Sequence, residues 1–471
     1  MEKHDFDVII IGGGPGGYVA AIRAAQLGAR VCLVEKQSLG GTCLNWGCIP
    51  TKALYRSAEV CQLVKNSAEF GIVSSGAEIN WEQVQGRKHK VVDQLVGGIA
   101  QLMKANGITV VKGEAAFTGA NELSVKNAEG ETTGISAGHI IIATGSKPAV
   151  LPIEGADLPG VLDSTGLLAI DHIPSRLAII GGGVIGMEFA TIFNAFGSQV
   201  TVIEFLPSIL AQLDGDISKR MAPMMKKKGI ELLTGSRVMK IEGQEELKLL
   251  VSTKKGDLEI TADKVLMAAG RLPVVDGLLP ENAGVAYDRK GIGTNGYGQT
   301  NVPHIYAIGD VTGGIMLAHT ASHQGIAAAE HIMGLKPHQN GNVVPSCVFT
   351  FPEIAAAGMT EEEAAAKGIA FKTGKFMFGA NGKALTLGEG EGLLKVISDE
   401  NDIIIGVHIM GPHASDLIHE GVLAIGMRIS AEDIIGTIHA HPTLGEVFSE
   451  AVMGLKGIAL HAAPARKSQV I

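Results

Sequence analysis

One motif occurs twice in the chain at a fixed spacing. Gly12, Gly14, Gly17, Gly28 and Glu35 are each followed, 169 residues later, by Gly181, Gly183, Gly186, Gly197 and Glu204. An apolar run precedes the glycines in both places, a helix-length segment of small or apolar residues follows them, and a second apolar run ends in the glutamate. Equal offsets at five points predict a duplicated strand–turn–helix–strand unit, because each glycine has a steric duty. The first permits a tight turn, the second lets backbone approach a pyrophosphate, and the third lets helix and strand pack closely. The helix N-terminus then holds phosphates, and the glutamate accepts hydrogen bonds from ribose hydroxyls. A bare glycine pattern is weak evidence, but in its full βαβ context each copy reads as a dinucleotide site.

A second repeat supports the duplication. Ala143-Thr144-Gly145-Ser146-Lys147-Pro148 and Ala268-Ala269-Gly270-Arg271-Leu272-Pro273 lie 125 residues apart, so the first copy carries about 44 extra residues, which fit between residues 40 and 106. A chain of 471 residues exceeds one hydrophobic core, and about two to four domains are expected. The divisions expected are 1–148, 149–272, 273–346 and 347–471. Beyond residue 347 short β-rich segments (347–351, 392–398, 403–409) alternate with Ala-rich helices and no fingerprint recurs, which predicts an α+β domain.

Composition removes several classes of function. A net charge of −9 with no basic cluster argues against nucleic acid and against an anionic membrane surface. Residues 177–197 are nearly all apolar, with Glu188 their only charge, but their glycine spacing marks a buried parallel strand and helix rather than a membrane span. The amino terminus runs almost directly into a strand, with no leader-like segment, so a cytoplasmic location is expected. Five cysteines do not make a disulfide scaffold. Cys32, Cys61 and Cys347 read as buried small hydrophobes.

The other two cysteines stand in residues 40–52, GGTCLNWGCIPTK. Pro50 suits a first helical turn, and Thr51, Lys52, Ala53 and Leu54 continue it, so Cys48 lies at the positive end of a helix, where a thiolate is favoured. Zinc would require a second cysteine pair, which the chain lacks. An inert buried pair is the other alternative, but the Gly, Asn and Pro residues around the cysteines are loop residues that expose a group to a partner. A redox-active dithiol is the reading adopted. Near the C-terminus, His441 and Glu446 sit five apart in His439-Ala440-His441-Pro442-Thr443-Leu444-Gly445-Glu446. Such a pair can be a base with its orienting carboxylate, or simply a structural histidine beside a surface acid. A metal held by His439 and His441 would lack a third ligand. Residues 300–310, TNVPHIYAIGD, read as a short strand closed by Gly-Asp, with a helix over 325–331; taken alone, Asp310 reads as the cap of the next turn. Lys52 and Glu188 each fall in the first turns of a helix beside a proposed nucleotide, or are solvated helix residues.

Residues 40–52 resemble the active-site signature of the pyridine nucleotide disulfide reductases, a family of flavoenzymes, and the resemblance extends over nearly the whole chain. It implies an α/β fold with two Rossmann-like dinucleotide-binding domains plus a C-terminal α+β dimerisation domain. By resemblance the cofactors are FAD and NAD. Gly12, Gly14, Gly17, Glu35, Lys52, Thr144, Gly145, Asp310 and Ala318 would serve FAD, with Asp310 on its ribityl chain. Gly181, Gly183, Gly186, Glu188, Glu204 and Gly270 would serve NAD. Glu204 is followed by Phe205 and Leu206, without the arginines that a 2′-phosphate requires, which favours NAD over NADP. The resemblance makes Cys43 the outer sulfur that exchanges with substrate and Cys48 the inner sulfur facing the flavin. It pairs Lys52 with Glu188 near the flavin N5, and it places His441 and Glu446 in the site of the other subunit of a homodimer.

Within the family, residues 406–420 (GVHIMGPHASDLIHE), Met316-Leu317-Ala318-His319 and the run from His439 to Glu446 look most like the lipoamide dehydrogenase branch. Mercuric reductases add a C-terminal cysteine pair, whereas this chain ends Lys467-Ser468-Gln469-Val470-Ile471. The resemblance therefore implies oxidation of protein-bound dihydrolipoamide with NAD⁺. The implied partner is the lipoyl-bearing protein of a 2-oxoacid dehydrogenase or glycine cleavage complex. The alternatives are NAD(P)H-dependent reduction of another disulfide, such as a glutathione-type one, and a catalytically silent flavoprotein scaffold. The presence of both cysteines, His441 and Glu446 argues against the scaffold. Two positions depart from the family pattern: Trp46, expected to narrow or stack on the thiol entrance without changing the reaction class, and Gly445, where serine is frequent.

Overall fold

The structure is a computed structural model that describes residues 4–337 and 343–463. The run from Lys467 to Ile471 lies outside the described residues. Strand β1 (Phe6–Ile11) turns into α1 (Pro15–Gln26), and β2 (Val31–Glu35) returns parallel to it with Val31 beside Val8. Three helices then intervene, α2 (Gly41–Trp46), α3 (Cys48–Lys65) and α4 (Trp81–Ala105), before β3 (Thr109–Lys112) joins β2. Asn80 starts α4 by accepting the Gln83 N–H at 3.0 Å. Strands β4 (Glu114–Phe117), β5 (Glu122–Lys126) and β6 (Thr132–Ile142) complete the sheet, in the order β3-β2-β1-β6-β5-β4. Val8, Ile9 and Ile10 are fully buried, as expected of a parallel strand covered on both faces.

The chain leaves through β7 (Ser146–Pro148) and builds a second sheet from β8 (Val161–Leu162), α5 (Ser164–Leu168), β9 (Arg176–Ile180), α6 (Val184–Phe196), β10 (Gln199–Glu204), α7 (Gly215–Lys227) and β11 (Glu231–Thr234). A meander of β12 (Arg237–Gly243), β13 (Leu247–Thr253) and β14 (Gly256–Ala262) precedes β15 (Lys264–Met267), giving the order β11-β10-β9-β15-β8. A single helix, α7, links β10 to β11, whereas three link β2 to β3. The extra residues of the first copy are therefore the dithiol segment and α4. The exit strand β16 (Arg271–Pro273) runs antiparallel to β7, so departure and return form one two-stranded joint.

After the short pair β17 (Tyr287–Asp288) and β18 (Gly291–Ile292), β19 (Ile305–Ala307) rejoins the first sheet beside β6. Helix α8 (Ala318–Ile332) then lies against α1. A Cβ on Gly325 would stand 2.5 Å from the Gly16 carbonyl, so the absence of a side chain allows this contact. The last region contains β20 (Ser346–Val348), β21 (Glu353–Gly358), α9 (Glu361–Ala366), β22 (Phe371–Met377), α10 (Gly382–Thr386), β23 (Leu393–Asp399), β24 (Ile404–Gly411), α11 (Ala414–Gly426), α12 (Ala431–Ile435) and α13 (Glu446–Leu455). Its antiparallel sheet has the order β20-β21-β24-β23-β22. One face, including Leu394, Val396 and Ile409, forms a core with Ile418 and Phe448. The other, including Ile354, Leu393 and Met410, packs into the cluster that holds Phe189 and Met225 of the second nucleotide unit.

Three expectations need correction. Residues 41–46 are helical rather than loop, because the chain breaks only at Gly47, between α2 and α3. Cys347 is half-buried, on a strand at the edge of its sheet, whereas Cys32 and Cys61 are buried. The strand expected over 347–351 ends at Val348, and a cis Phe351–Pro352 bond follows. Among the described residues no helix is long and apolar enough to cross a membrane, and no cluster of metal-ligating side chains occurs.

Candidate active site

The two thiols occupy consecutive helices. Cys43 lies within α2 and Cys48 is the first residue of α3, whose N-terminus carries no side-chain cap. Both are free and partly buried. The hydrogen bond with Cys43 is the main influence holding Cys48 down to about 7; burial opposes it, Lys52 adds to it and Glu188 works against it. The same hydrogen bond, together with burial, pushes Cys43 well above the ordinary thiol range. The pair is therefore asymmetric: Cys48 ionises and Cys43 keeps its proton.

One turn beyond Cys48, the Lys52 Nζ lies 3.0 Å from both carboxylate oxygens of Glu188 on α6, and Glu188 is only 6% exposed. The Phe349 N–H donates to the same carboxylate at 3.0 Å, and the Lys52 ammonium stands 4.4 Å from the centre of the Phe349 ring. Segments from three parts of the chain thus meet at this ion pair. Trp46 is half-buried and donates from Nε1 to Thr42 Oγ1 at 3.3 Å, within its own helix.

The two glycine loops share the same backbone constraints. Gly12 and Gly181 have φ of 104° and 113°, and a Cβ on either would lie 2.3 or 2.4 Å from the carbonyl of Ala143 or Ala268. At Gly17 and Gly186 it would lie 1.9 Å from the first glycine's carbonyl. Around Gly183 there is open space, and near Gly14 only Gly41 Cα at 4.0 Å. Gly14 and Gly183 are also the N-caps of α1 and α6, with no side chain satisfying the first-turn N–H groups. Open space in front of uncapped donors fits a pyrophosphate at each loop. Glu35 accepts the N–H of Gly13 at 2.7 Å and of Gln37 at 2.6 Å; Glu204 accepts those of Gly182 at 2.5 Å and Leu206 at 2.6 Å. Each glutamate is thereby fixed beside its loop. Phe205 is 71% exposed next to Glu204.

The connections between the units bring further residues together. Asp310, in a tight turn after β19, accepts from Ser146 Oγ. Arg271 donates to the same hydroxyl and to the Ser146 carbonyl, both at 2.7 Å. Thr144 Oγ1 donates to the Val274 carbonyl at 2.6 Å, and Gly145 and Gly270 occupy equivalent positive-φ turns. Ala318 is the first residue of α8, another helix without a side-chain cap.

His441 and Glu446 form a separate group. His441 Nδ1 lies 2.8 Å from Glu446 Oε1, while Glu446 Oε2 accepts the Thr443 N–H at 2.8 Å. Burial raises the proton affinity of Glu446, but the Thr443 N–H and the imidazole outweigh it and hold the carboxyl below its ordinary range. With Nδ1 engaged, Nε2 is the nitrogen left for proton exchange, on a side chain 77% exposed. His439 pairs instead with Glu420, at 3.0 Å. Gly445 has room for a side chain, since a Cβ would first meet Thr443 Oγ1 at 3.7 Å. Among the described residues no hydrogen bond or ion pair joins this dyad to the thiols. Phe349, Ser146 and Arg271 were not singled out from sequence. Ser146 and Arg271 occupy equivalent places in the two repeated turns, which was the one available signal.

Two families cover almost the entire chain: pyridine nucleotide-disulphide oxidoreductase over residues 6–325 and its dimerisation domain over residues 344–452. A dihydrolipoyl dehydrogenase of Bacillus subtilis is 43% identical over 97% of this chain and 99% of its own. One from Chlamydia muridarum is 44% identical over 98% and 99%, and a mitochondrial one from Arabidopsis thaliana is 42% identical over 97% and 91%. Among solved structures, the HOCl-induced flavoprotein disulfide reductase RclA from Escherichia coli superposes with a TM-score of 0.85 at 28% identity, over 95% of this chain and 99% of that one. With its paired nucleotide loops, its thiols at a helix start and sequence kinship along its full length, the chain belongs to the pyridine nucleotide-disulphide oxidoreductase family.

Proposed function

We propose that the protein oxidises protein-bound dihydrolipoamide to lipoamide with NAD⁺, as the dehydrogenase subunit of a 2-oxoacid dehydrogenase or glycine cleavage complex in the cytoplasm. The observation that carries this reading is the asymmetric thiol pair at the start of α3, beside the Lys52–Glu188 ion pair and between two dinucleotide loops. Kinship with dihydrolipoyl dehydrogenases selects the substrate. In this reading the protein is a homodimer whose subunits divide at 148/149, 272/273 and 346/347. Gly12, Gly14, Gly17, Glu35, Lys52, Thr144, Gly145, Asp310 and Ala318 hold FAD. Gly181, Gly183, Gly186, Glu188, Glu204 and Gly270 hold NAD. When bound, these cofactors supply the acceptors for two electrons and a proton transferred as hydride.

The chain's own residues move protons and sulfur bonds. In the oxidised protein Cys43 and Cys48 share a disulfide. His441 of the partner subunit takes the proton from one substrate thiol at Nε2, while Glu446 of the partner subunit steadies the imidazolium. The substrate sulfur bonds to Cys43 Sγ, the Cys43–Cys48 bond breaks, and Cys48 departs as a thiolate, as its low proton affinity favours. The second substrate thiol then closes the substrate disulfide and expels Cys43. Cys43 receives the first proton, in keeping with its high proton affinity, and the base takes the second. The substrate leaves with two electrons fewer, and the protein holds a Cys43 thiol, a Cys48 thiolate and one proton on the base.

Anaerobic addition of dihydrolipoamide to the full-length protein should expose two new thiols, mapped by alkylation to Cys43 and Cys48. With NADH as donor, lipoamide should be reduced far faster than glutathione disulfide or coenzyme A disulfide, and NADPH should not substitute. Full lipoamide turnover by Cys48→Ser would refute the proposal.

A further inference from the structure

Phe349 has no role in the mechanism above, yet both members of the Lys52–Glu188 pair rest on it. Its N–H donates at 3.0 Å to Glu188 Oε1, the oxygen that also receives Lys52, and its ring centre lies 4.4 Å from the Lys52 Nζ. Lys52 follows Cys48 by four residues on α3, which makes the two side chains neighbours on one helix face. The ring is itself braced. Tyr55, three residues beyond Lys52 on α3, meets it edge-on with 5.9 Å between centroids, and Phe351 stacks on Tyr55 at 4.6 Å. Between them the Thr350 carbonyl accepts from the Tyr55 hydroxyl at 3.1 Å. Three consecutive residues just beyond β20 therefore fasten the last region to the helix that begins with Cys48. Lys52 is 30% exposed, and an ammonium bound by a carboxylate alone at that exposure exchanges readily with water; the face of an aromatic ring attracts the cation and narrows it to one place.

We propose that Phe349 is a positioning residue for the redox centre, its ring holding the Lys52 ammonium and its N–H the Glu188 carboxylate where both act on the Cys48 sulfur. The proposal deepens the reading of Cys48 as the inner sulfur and rests on it. The titratable groups that act on Cys48 are Cys43 on α2, Lys52 on α3 and Glu188 on α6, and Phe349 touches the last two. Cys347, two residues before Phe349 on β20, is pushed up to about 11, first by burial and then by Glu353, Glu188 and Asp416, against Lys52; it stays protonated where Cys48 ionises. Phe349 also packs into the cluster shared by the last region and the second nucleotide unit, so the docking of those two regions sets the charges around a thiol of the first. The ring and the N–H are separable, since replacing the side chain removes only the ring.

The test uses the reduced full-length holoprotein and reads the pH midpoint of iodoacetamide labelling at Cys48, located by peptide mass spectrometry. Cys347 serves as the internal control and should stay unlabelled over the same range. The wild type should label with a midpoint near 7, in keeping with the lowered proton affinity of Cys48. Phe349→Leu and, with a more adaptable side chain, Phe349→Met keep an apolar filling and the N–H but remove the aromatic face. Each should raise the midpoint by about half a pH unit, because a cation that strays from the sulfur favours its thiolate less. Phe349→Tyr keeps the face and should hold the wild-type midpoint. Introduced into Lys52→Met, Phe349→Leu should add no further shift, because its effect passes through the ammonium. A wild-type midpoint near the ordinary 9.0 would sink the assignment of Cys48 and this proposal with it. A wild-type midpoint near 7 that Phe349→Leu and Phe349→Met leave unmoved, that Phe349→Tyr raises as much as they do, or that Phe349→Leu shifts equally with and without Lys52 would overturn this proposal alone.

Discussion

Cys43 and Cys48 are the same side chain five positions apart, and their surroundings give them opposite proton affinities. The difference arises from one shared hydrogen bond, unequal charges and the start of α3. Because Lys52 lowers and Glu188 raises the proton affinity of Cys48, their substitutions should act in opposite directions. Lys52→Met should shift the labelling midpoint of Cys48 upward and Glu188→Gln should shift it downward; shifts of the same sign would contradict the assignment. The folded-state affinity lies below the unfolded thiol's 9.0, so the stability it contributes is complete above pH 9 and is lost as pH falls through about 7. At this scale the sequence exposed the cysteines, His441 and Glu446, whose spacing is characteristic. It hid Phe349, because the partner of Glu188 is a backbone N–H from 161 residues away, and no local pattern encodes such a contact.

Among elements, the duplicated unit was the most legible, because the five repeated positions each answer to a steric demand. The meander β12–β14 was not read, since short alternating strands joined by tight turns resemble ordinary surface loops. Helix α2 was missed for a similar reason: its glycine and asparagine have low intrinsic helix propensity, and tertiary placement overrides it. The second loop allows steric and ligand effects to be separated. Gly186→Ala would put a methyl 1.9 Å from the Gly181 carbonyl and should cost about 1–3 kcal/mol of stability by denaturant unfolding. Gly183→Ala meets no protein atom within 4 Å, so it should leave unfolding unchanged while weakening NAD binding by about tenfold or more, which corresponds to about 1.4 kcal/mol. Equal loss of stability in both variants would argue against a nucleotide at this loop.

For the whole molecule, the last region's sheet is buried on both faces, one in its own core and one against the second nucleotide unit. Lys395 strengthens that junction. It is 1% exposed and binds Asp214, the N-cap of α7, at 2.8 and 2.9 Å, with Asp216 at 2.8 Å and Glu361 at 2.5 Å. Such a buried network fixes geometry more than it adds net stability. It joins β23 of the last sheet to the start of α7 in the second nucleotide unit. The composition change near residue 347 predicted a third kind of domain from there on. It could not show this docking, because the contacts pair residues about 180 positions apart. Among the described residues of one chain the His441–Glu446 dyad makes no bond to the thiols, and in the proposed function a second subunit completes each site.

Mixing subunits tests that requirement most directly. Cys48→Ser and His441→Gln homodimers should each have less than about 1% of wild-type turnover, given the rate contribution of a positioned base. Co-folded and isolated as heterodimers, they should recover close to half of wild-type activity, because one of the two sites regains both Cys48 and His441. Heterodimers as inactive as their parents would contradict a shared active site.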